Sequence, residues 1–192
     1  MTGAPAIAAL FALVVLLAVV GYLAVATYNA VQGLRLRIDK AWSNIDVLLK
    51  QRHDQLPMLV DAVRDLMRFE AGVLEDVATA RAAYRATAPI PEQAATSAAT
   101  TTAVQYLLAT VEAYPNLGSH ENVMALQAEI TRLESMLADR RERYNDQVYR
   151  YNTRIATWPT VPLAWLFGWE PRPFFATEPG TATPTVELGA AR

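Results

Sequence analysis

The first 34 residues of the chain carry no charged side chain, and this feature constrains the fold more than any other. Residues 6–26 form an uninterrupted apolar run of 21 residues, AIAALFALVVLLAVVGYLAVA. A helix of that length rises about 30 Å, which matches the hydrocarbon core of a bilayer. Pro5 stands at the start of the run, where a helix loses nothing by a missing backbone N–H. The sequence therefore predicts an N-terminal membrane-spanning helix.

A cleaved signal peptide is the alternative interpretation, because Ala24-Val25-Ala26 resembles an A-x-A cleavage site. Signal peptides have a basic segment before a shorter apolar stretch, and residues 1–5 contain no basic side chain. We therefore interpret the run as an anchor. Basic residues flank it only on the C-terminal side, as Arg35, Arg37 and Lys40. The positive-inside rule predicts a single-pass protein with its N-terminus outside the cell membrane and its C-terminal domain in the cytoplasm.

The remaining residues have the composition of one ordinary soluble domain. All 17 Lys and Arg and all 19 Asp and Glu residues lie after position 34. The chain has no cysteine, which excludes disulfide scaffolds, thiol catalysis and Cys-ligated zinc. A net charge of −2 argues against nucleic acid as a partner, since nucleic-acid binding needs a concentrated basic face.

Apolar residues after the run recur at helical spacing, in a seam of the coiled-coil type. The first seam comprises Val31, Leu34, Ile38, Ala41, Ile45 and Leu48. It resumes beyond Arg52, and the period alone leaves open whether 28–86 is one kinked helix or two. Asp54 is a candidate N-cap with Pro57 in the first turn, so we predict a break near 52–54, with helices at about 5–52 and 54–86.

Two more helices follow in the sequence. A weak Ala/Thr-rich segment at 92–103 leads into a third helix that ends at Tyr114-Pro115, and Ser119 is a candidate N-cap for the last helix, about 120–157. The seam of that last helix is Val123, Leu126, Ile130, Leu133, Leu137, Tyr144, Val148, Tyr151 and Ile155. The prediction is an all-α, antiparallel up-and-down bundle, most simply of four helices, whose first helix is continuous with the transmembrane span.

The predicted organisation has four parts. They are a transmembrane anchor at 1–27, a cytoplasmic helical bundle at 28–158, an aromatic and proline-rich segment at 159–176, and a disordered tail at 177–192.

Motifs for common chemistry are missing from the sequence. His120-Glu121 opens like a zincin motif, but Met124 stands where the second histidine would be. The glycines are isolated, and there is no G-x-S-x-G. We therefore predict a non-enzyme with no catalytic residue, cofactor or metal.

Some charged and polar residues nevertheless fall on or beside the apolar seams. They are either buried ion pairs that fix the register of the bundle or the lining of a ligand pocket. Repeated Tyr-Asn pairs, Tyr28-Asn29, Tyr144-Asn145 and Tyr151-Asn152, are interpreted as core tyrosines whose hydroxyls find partners. The candidate polar cluster comprises Trp42, Asn44, Asp46, Arg52, His53, Asp54, Glu70, Arg140, Arg141, Tyr144 and Asn145.

Several of these motifs, taken in order, resemble the LemA family. They are YN at 28–29, Arg35, AWSNIDVLLKQRHDQLP at 41–57, Glu134, RRERYN at 140–145, YN at 151–152, WP at 158–159, FGW at 167–169 and FF at 174–175. The resemblance implies a bacterial protein with one N-terminal span, a four-helix bundle and no agreed biochemical activity. The chain departs from the family at 133–136, where LESM stands in place of T-E-x-R.

Two functions are consistent with the sequence. The first is a membrane-anchored, non-catalytic scaffold or adaptor with the lipid bilayer and a membrane or cytoplasmic protein as partners. The second is a ligand-sensing or enzymatic bundle that uses the polar cluster. Heptad seams can be shared between chains, so a homo-oligomer is also open.

The segment from Trp158 to Phe175 holds six of the nine Trp and Phe residues of the chain. An up-down-up-down bundle returns this segment to the membrane, and we predict that its tryptophans contact lipid. The alternative is a hydrophobic lid that folds back over the open end of the bundle.

Overall fold

The computed structural model describes residues 3–64, 71–113 and 121–175, and all regular structure in these ranges is helical. The helices are α1 (Gly3–Arg64), α2 (Ala71–Ala82), α3 (Ile90–Glu112), α4 (Glu121–Ala156) and the short α5 (Val161–Phe167). The all-α prediction is confirmed, and the first helix of the bundle is continuous with the apolar run. The predicted tail, Glu70 and Ser119-His120 lie outside the described residues.

The four long helices alternate in direction. Arg81 of α2 reaches back to His53 of α1, and α3 then runs parallel to α1, with Ser97 beside Arg52. α4 is antiparallel to α1, because Glu129 lies beside Gln55 and Glu134 beside Arg52. Farther along, Tyr144 of α4 packs against Trp42 of α1. The up-and-down arrangement follows from these pairings.

The predicted break near residues 52–54 is wrong, because α1 continues to Arg64 with Pro57 inside it. A proline in a helix interior removes the N–H that would bond the carbonyl four residues earlier. Here that carbonyl belongs to His53, and it accepts a hydrogen bond from Nε of Arg81 at 3.0 Å instead. Asp54 is therefore an exposed residue inside the helix and not an N-cap. Arg81 of α2 thus supplies the hydrogen bond that Pro57 cannot make.

Two apolar cores lie in series along the bundle. The first core consists of Val31, Ile38, Ile45, Leu48, Leu49, Ala94, Leu133, Leu137, Tyr144, Val148, Tyr151, Ile155, Trp169 and Phe175. The second core consists of Leu56, Leu59, Val60, Val63, Val73, Leu74, Val77, Val104, Leu107, Val111, Val123 and Ile130. Most predicted seam residues are buried in one of them, and Leu34, Ala41 and Leu126 are half-buried. The heptad analysis therefore identified the buried face correctly.

The helix α2 is shorter than predicted, because it ends at Ala82 and not near residue 86. Gln93, near the start of α3, is buried and donates to the carbonyls of Ala86 and Ala88 at 3.0 and 2.9 Å. The Ala/Thr-rich segment predicted to be weak is an unbroken part of α3. Its small residues Ser97 and Thr100 are buried, and α3 packs closely against α2, where the Thr100 hydroxyl lies 3.4 Å from the carbonyl oxygen of Ala80.

The last described segment turns back along the bundle. α4 ends before Trp158-Pro159, as predicted, and α5 follows. Gly168 adopts φ +62°, a left-handed conformation that glycine takes without strain, and the N–H of Trp169 caps α5 by bonding to Ala164. Residues 169–175, here called the strap, then run in the groove between α1 and α4.

Candidate functional site

A layer of polar side chains lies at the junction of the two cores. On α1, Arg52 is 3% exposed and stands between Leu49 of the first core and Leu56 of the second. α4 contributes Glu134 at the same level. The full set, here called the polar layer, is Arg52, Ser97, Thr101, Glu134 and Arg141.

Hydrogen bonds connect every member of the polar layer. Arg52 donates from Nη1 to Oε1 of Glu134 at 2.6 Å and to Oγ1 of Thr101 at 3.0 Å. Its Nη2 donates to Oγ of Ser97 at 2.8 Å. Thr101 donates to the second oxygen of Glu134 at 2.8 Å. A buried charge is tolerated only when it is paired and hydrogen-bonded in this way.

The polar layer carries two cations and one carboxylate. Arg141 donates from Nη2 to Oγ of Ser97 at 2.8 Å, and this hydroxyl therefore accepts from both arginines. Burial, followed by repulsion from Arg52, lowers the pKa of the Arg141 guanidinium. Its charge is partly offset by the ring of Phe175, whose centroid lies 5.3 Å from Cζ. The strap thus covers the second cation of the polar layer.

Four residues of α4 hold the strap by its main chain. Two of them are tyrosines, Tyr144 and Tyr151, whose side chains are 0% and 2% exposed. The hydroxyl of Tyr144 donates to the carbonyl of Pro173 at 2.9 Å, and that of Tyr151 donates to the carbonyl of Glu170 at 3.1 Å. The interpretation of these two tyrosines as core residues with hydrogen-bonded hydroxyls is confirmed. Burial raises the pKa of Tyr144 to about 12 and also raises the pKa of Tyr151.

The neighbouring asparagines each pair with one strap residue in both directions. Oδ1 of Asn152 accepts from the N–H of Arg172 at 2.8 Å, and its Nδ2 donates to the carbonyl of the same residue at 3.0 Å. Asn145 makes the same pair with Phe175, at 2.8 and 3.2 Å. Tyr144, Asn145, Tyr151 and Asn152 together are here called the clasp.

Trp42 of α1 completes an aromatic pocket at the end of the clasp. Its ring centroid lies 5.8 Å from that of Tyr144 and 5.9 Å from that of Phe175. Phe175 is 1% exposed in this pocket. The strap is thus fixed by hydrogen bonds along its main chain and by two buried aromatic side chains, Phe175 and Trp169.

The other described residues of the predicted cluster do not join the polar layer. The His53 ring lies tilted against that of Tyr84, with the centroids 5.2 Å apart, and burial, together with Asp46 and Asp54, raises the pKa of the Tyr84 phenol. Asn44 and Arg140 line an open groove of about 630 Å³ on a different face. The structure therefore brings Arg52 and Arg141 together in the polar layer, and Trp42, Tyr144 and Asn145 at the strap.

Sequence reasoning missed part of both sites. Ser97 and Thr101 gave no signal beyond their place in an Ala/Thr-rich helix, and Glu134 stood out only through the resemblance to a family. Asn152 was named in a Tyr-Asn pair but was not selected. A signal for it existed, because the two pairs of the clasp are seven residues apart and so share a helix face.

The prediction for the aromatic segment is wrong for Trp169, which is 8% exposed and packs in the first core. Trp169 and Phe175 lie along the groove between α1 and α4 and not over the end of the bundle. Trp158 and Trp165, in contrast, are 79% and 87% exposed. Their contact with lipid stays a prediction.

The arrangement is suited to holding elements together. The cavity beside Arg52, His53 and Ser97 measures about 10 Å³, room for about one water molecule. Among the described residues, no three His, Asp or Glu side chains are placed to hold a metal ion.

Comparison with known proteins identifies the family. Magnetosome proteins MamQ 1 and MamQ 2 of Paramagnetospirillum magneticum are each 32% identical to the chain over 80 residues, and MamQ of Magnetospirillum gryphiswaldense is 30% identical over 80 residues. These matches cover 42% of this chain and 29% of each relative, so the chain spans less than a third of their length. The sequence model of the LemA family matches residues 41–188, which include the polar layer, the clasp and the strap. The chain belongs to the LemA family.

Proposed function

We propose that the protein is a membrane-anchored, non-catalytic helical scaffold, with its N-terminus outside the cell membrane and its bundle in the cytoplasm. The observation that carries the proposal is the exposure of the apolar run. α1 is the one described helix long and apolar enough to cross a membrane, and its most apolar window has a mean hydropathy of 2.8 and is 0% buried in the chain. Bilayer hydrocarbon is the environment that such a surface needs.

The continuity of α1 supports a scaffold role. The helix runs without a break from Gly3 to Arg64, past the polar layer. A continuous helix fixes the bundle to the anchor without a linker, because its backbone hydrogen bonds resist bending. Arg35, Arg37 and Lys40 on the bundle side of the run support the cytoplasmic orientation.

The pairing within the polar layer supports a non-catalytic role over the ligand-sensing alternative. A reactive site needs groups free to contact a substrate. The guanidinium of Arg52 is instead already hydrogen-bonded to Glu134, Thr101 and Ser97. The small cavity beside these side chains adds weight to a structural role.

The exposed part of the aromatic segment fits the membrane boundary. Leu166 and Phe167 of α5 form an apolar groove of about 360 Å³ with Ala24 and Val25 of the run. We propose that α5 lies at the level of the lipid headgroups, with Trp165 in contact with lipid.

Alkaline extraction of membranes tests the anchor. Leu16→Arg with Leu17→Arg places two cations in the run, each at a cost of about 3 kcal/mol in a bilayer. Leu36→Arg with Val47→Arg is the matched control, because these bundle residues are 69% and 61% exposed and Leu16 and Leu17 are 58% and 60% exposed. We expect the unchanged chain and the control to stay in the membrane pellet and the first variant to be released. Release of the unchanged chain would refute the anchor.

A further inference from the structure

All the hydrogen bonds between the clasp and the strap end on main-chain atoms of the strap. These six hydrogen bonds end on the carbonyls of Glu170, Arg172, Pro173 and Phe175 and on the N–H groups of Arg172 and Phe175. Main-chain groups are the same in every peptide apart from proline, which lacks the N–H. These hydrogen bonds therefore place no demand on the side chains at the bonded positions.

The spacing of the clasp matches an extended chain. Asn145 and Asn152 are seven residues apart on α4, a rise of about 10.5 Å. Their targets, Phe175 and Arg172, are three residues apart, and an extended chain covers about 10 Å in three residues. The tyrosines repeat the match, because their targets Pro173 and Glu170 are also three residues apart. Seven residues of the helix thus span the same length as three residues of the extended peptide.

The prolines of the strap agree with this register. Pro171 and Pro173 fall where the clasp requires no N–H donor. Proline also favours the extended polyproline conformation and lowers the entropy lost on binding. Specificity comes from the two buried aromatic side chains of the strap. Phe175 fills the pocket between Trp42 and Arg141, and Trp169 packs in the first core.

We propose that the face of α1 and α4 bearing the clasp is a recognition site for an extended peptide, which the strap occupies in cis. A partner protein displaces the strap with an extended, proline-containing segment of its own. This segment carries an aromatic residue three positions after the residue that pairs with Asn152. Affinity comes from main-chain hydrogen bonds and selectivity from the burial of aromatic side chains, as in other modes of extended-peptide recognition. The proposal rests on the scaffold function only in supplying the class of partner that the scaffold holds.

The strap competes with any added peptide. A segment tethered beside its site acts at a millimolar effective concentration, so a free peptide binds weakly to the intact chain. Weakening the strap without touching the clasp exposes the site. Phe175→Ala does this, because it removes the buried aromatic anchor and leaves α4 unchanged.

The test measures binding of a fluorescent peptide, WEPRPFF, to the full chain in detergent micelles. We expect saturable binding to Phe175→Ala that is at least about tenfold tighter than to the unchanged chain. Adding Asn145→Ala and Asn152→Ala to Phe175→Ala should remove most of this affinity, and the peptide WEPRPFA should bind at least about tenfold more weakly. A WAPAPFF peptide should bind within about threefold of the original, because the clasp reads the main chain.

Other outcomes would overturn the proposal. They are equal affinity for the unchanged chain and Phe175→Ala, no effect of the asparagine substitutions, or equal binding of WEPRPFA. If Phe175→Ala loses its helical circular dichroism, Gly168→Ala replaces it, since it strains the hinge at φ +62° and its added Cβ meets nothing within 4 Å. Peptide binding in micelles is independent of membrane extraction, so failure of one proposal is distinguishable from failure of the other.

Discussion

Arg52 shows what a single residue does where two apolar cores meet. Its charge costs free energy to bury, and Glu134, Ser97 and Thr101 together offset that cost by accepting its hydrogen bonds. The sequence indicated a buried charge on the seam, because Arg52 interrupts an apolar period. It could not identify Glu134 as the partner, because pairing across 82 residues depends on the tertiary register of α1 and α4.

Removing one side of the pair should destabilise the fold strongly. We expect Arg52→Ala to lower the free energy of unfolding by about 3–5 kcal/mol, because it leaves the half-buried Glu134 carboxylate without its direct partner. The double variant Arg52→Met with Glu134→Leu should be more stable than Arg52→Ala, since it removes the Glu134 carboxylate together with its partner and leaves Arg141 its hydrogen bond to Ser97. Denaturant unfolding of the full chain in detergent measures both.

An exposed ion pair provides the control for this experiment. Arg64 contacts Asp61 at 3.0 Å with both side chains more than 60% exposed, and Arg64→Ala should change stability by no more than about 0.5 kcal/mol. If Arg52→Ala had an effect as small as this, the polar layer would not hold the bundle together.

Tyr144 gives a prediction for alkaline pH. Burial raises its folded-state pKa to about 12, whereas an unfolded tyrosine ionises near its usual pKa of about 10. Below pH 10 both states are protonated. Between pH 10 and 12 the folded state binds more protons than the unfolded state, so stability should fall as pH rises across this window.

An absorbance titration of tyrosine ionisation tests the shift. The difference between the unchanged chain and Tyr144→Phe should be one phenol that ionises near pH 12. A difference centred near pH 10 would show that Tyr144 is solvated and that its bond to Pro173 does not persist.

At the scale of elements, the strap is the part of the fold that sequence patterns could not predict. Its residues have no helical or strand period, and the groups that hold it are side chains of α4. The false break near Arg52 has a related cause. Pro57 is a sound local signal for a helix end, but Arg81 from another helix satisfies the carbonyl of His53. In both cases, long-range side-chain bonds to the main chain decide the structure.

Amide hydrogen exchange should show that every third residue of the strap is bonded to the clasp. The amides of Arg172 and Phe175 donate to asparagine oxygens at 2.8 Å and should exchange at least about tenfold more slowly than that of Phe174. Asn145→Ala should accelerate exchange at Phe175 and leave Arg172 slow. The exposed Asn29 provides the control substitution, Asn29→Ala, which should change neither rate. Uniform exchange along the strap would contradict the clasp.

The tryptophans around α5 should divide into two groups. Trp158 and Trp165 are largely exposed, whereas Trp169 is 8% exposed in the first core. For the full chain in vesicles, we expect brominated lipid to quench the fluorescence of the exposed pair only. Trp158→Phe with Trp165→Phe should remove the quenched component, and Trp169→Phe should leave it. No quenching of the unchanged chain, or quenching that the double substitution does not reduce, would contradict contact of α5 with lipid.

For the whole molecule, hydropathy and period predicted the architecture because they are properties of long segments. The apolar run of α1 and the seam of α4, from Val123 to Ile155, needed no knowledge of their partners. The orientation in the membrane rests on Arg35, Arg37 and Lys40 and is a separate claim. The central claim is that one helix joins a transmembrane anchor to a cytoplasmic bundle.

Cysteine accessibility in intact cells tests this claim most directly, because the native chain has no cysteine and gives no background. The probe is a membrane-impermeant maleimide, applied to Thr2→Cys, Leu16→Cys and Ala128→Cys in the full chain. We expect labelling of Thr2→Cys in intact cells, of Ala128→Cys only after permeabilisation, and of Leu16→Cys only after detergent dissolves the bilayer. Labelling of Ala128→Cys in intact cells would contradict the orientation, and labelling of Leu16→Cys without detergent would contradict the anchor.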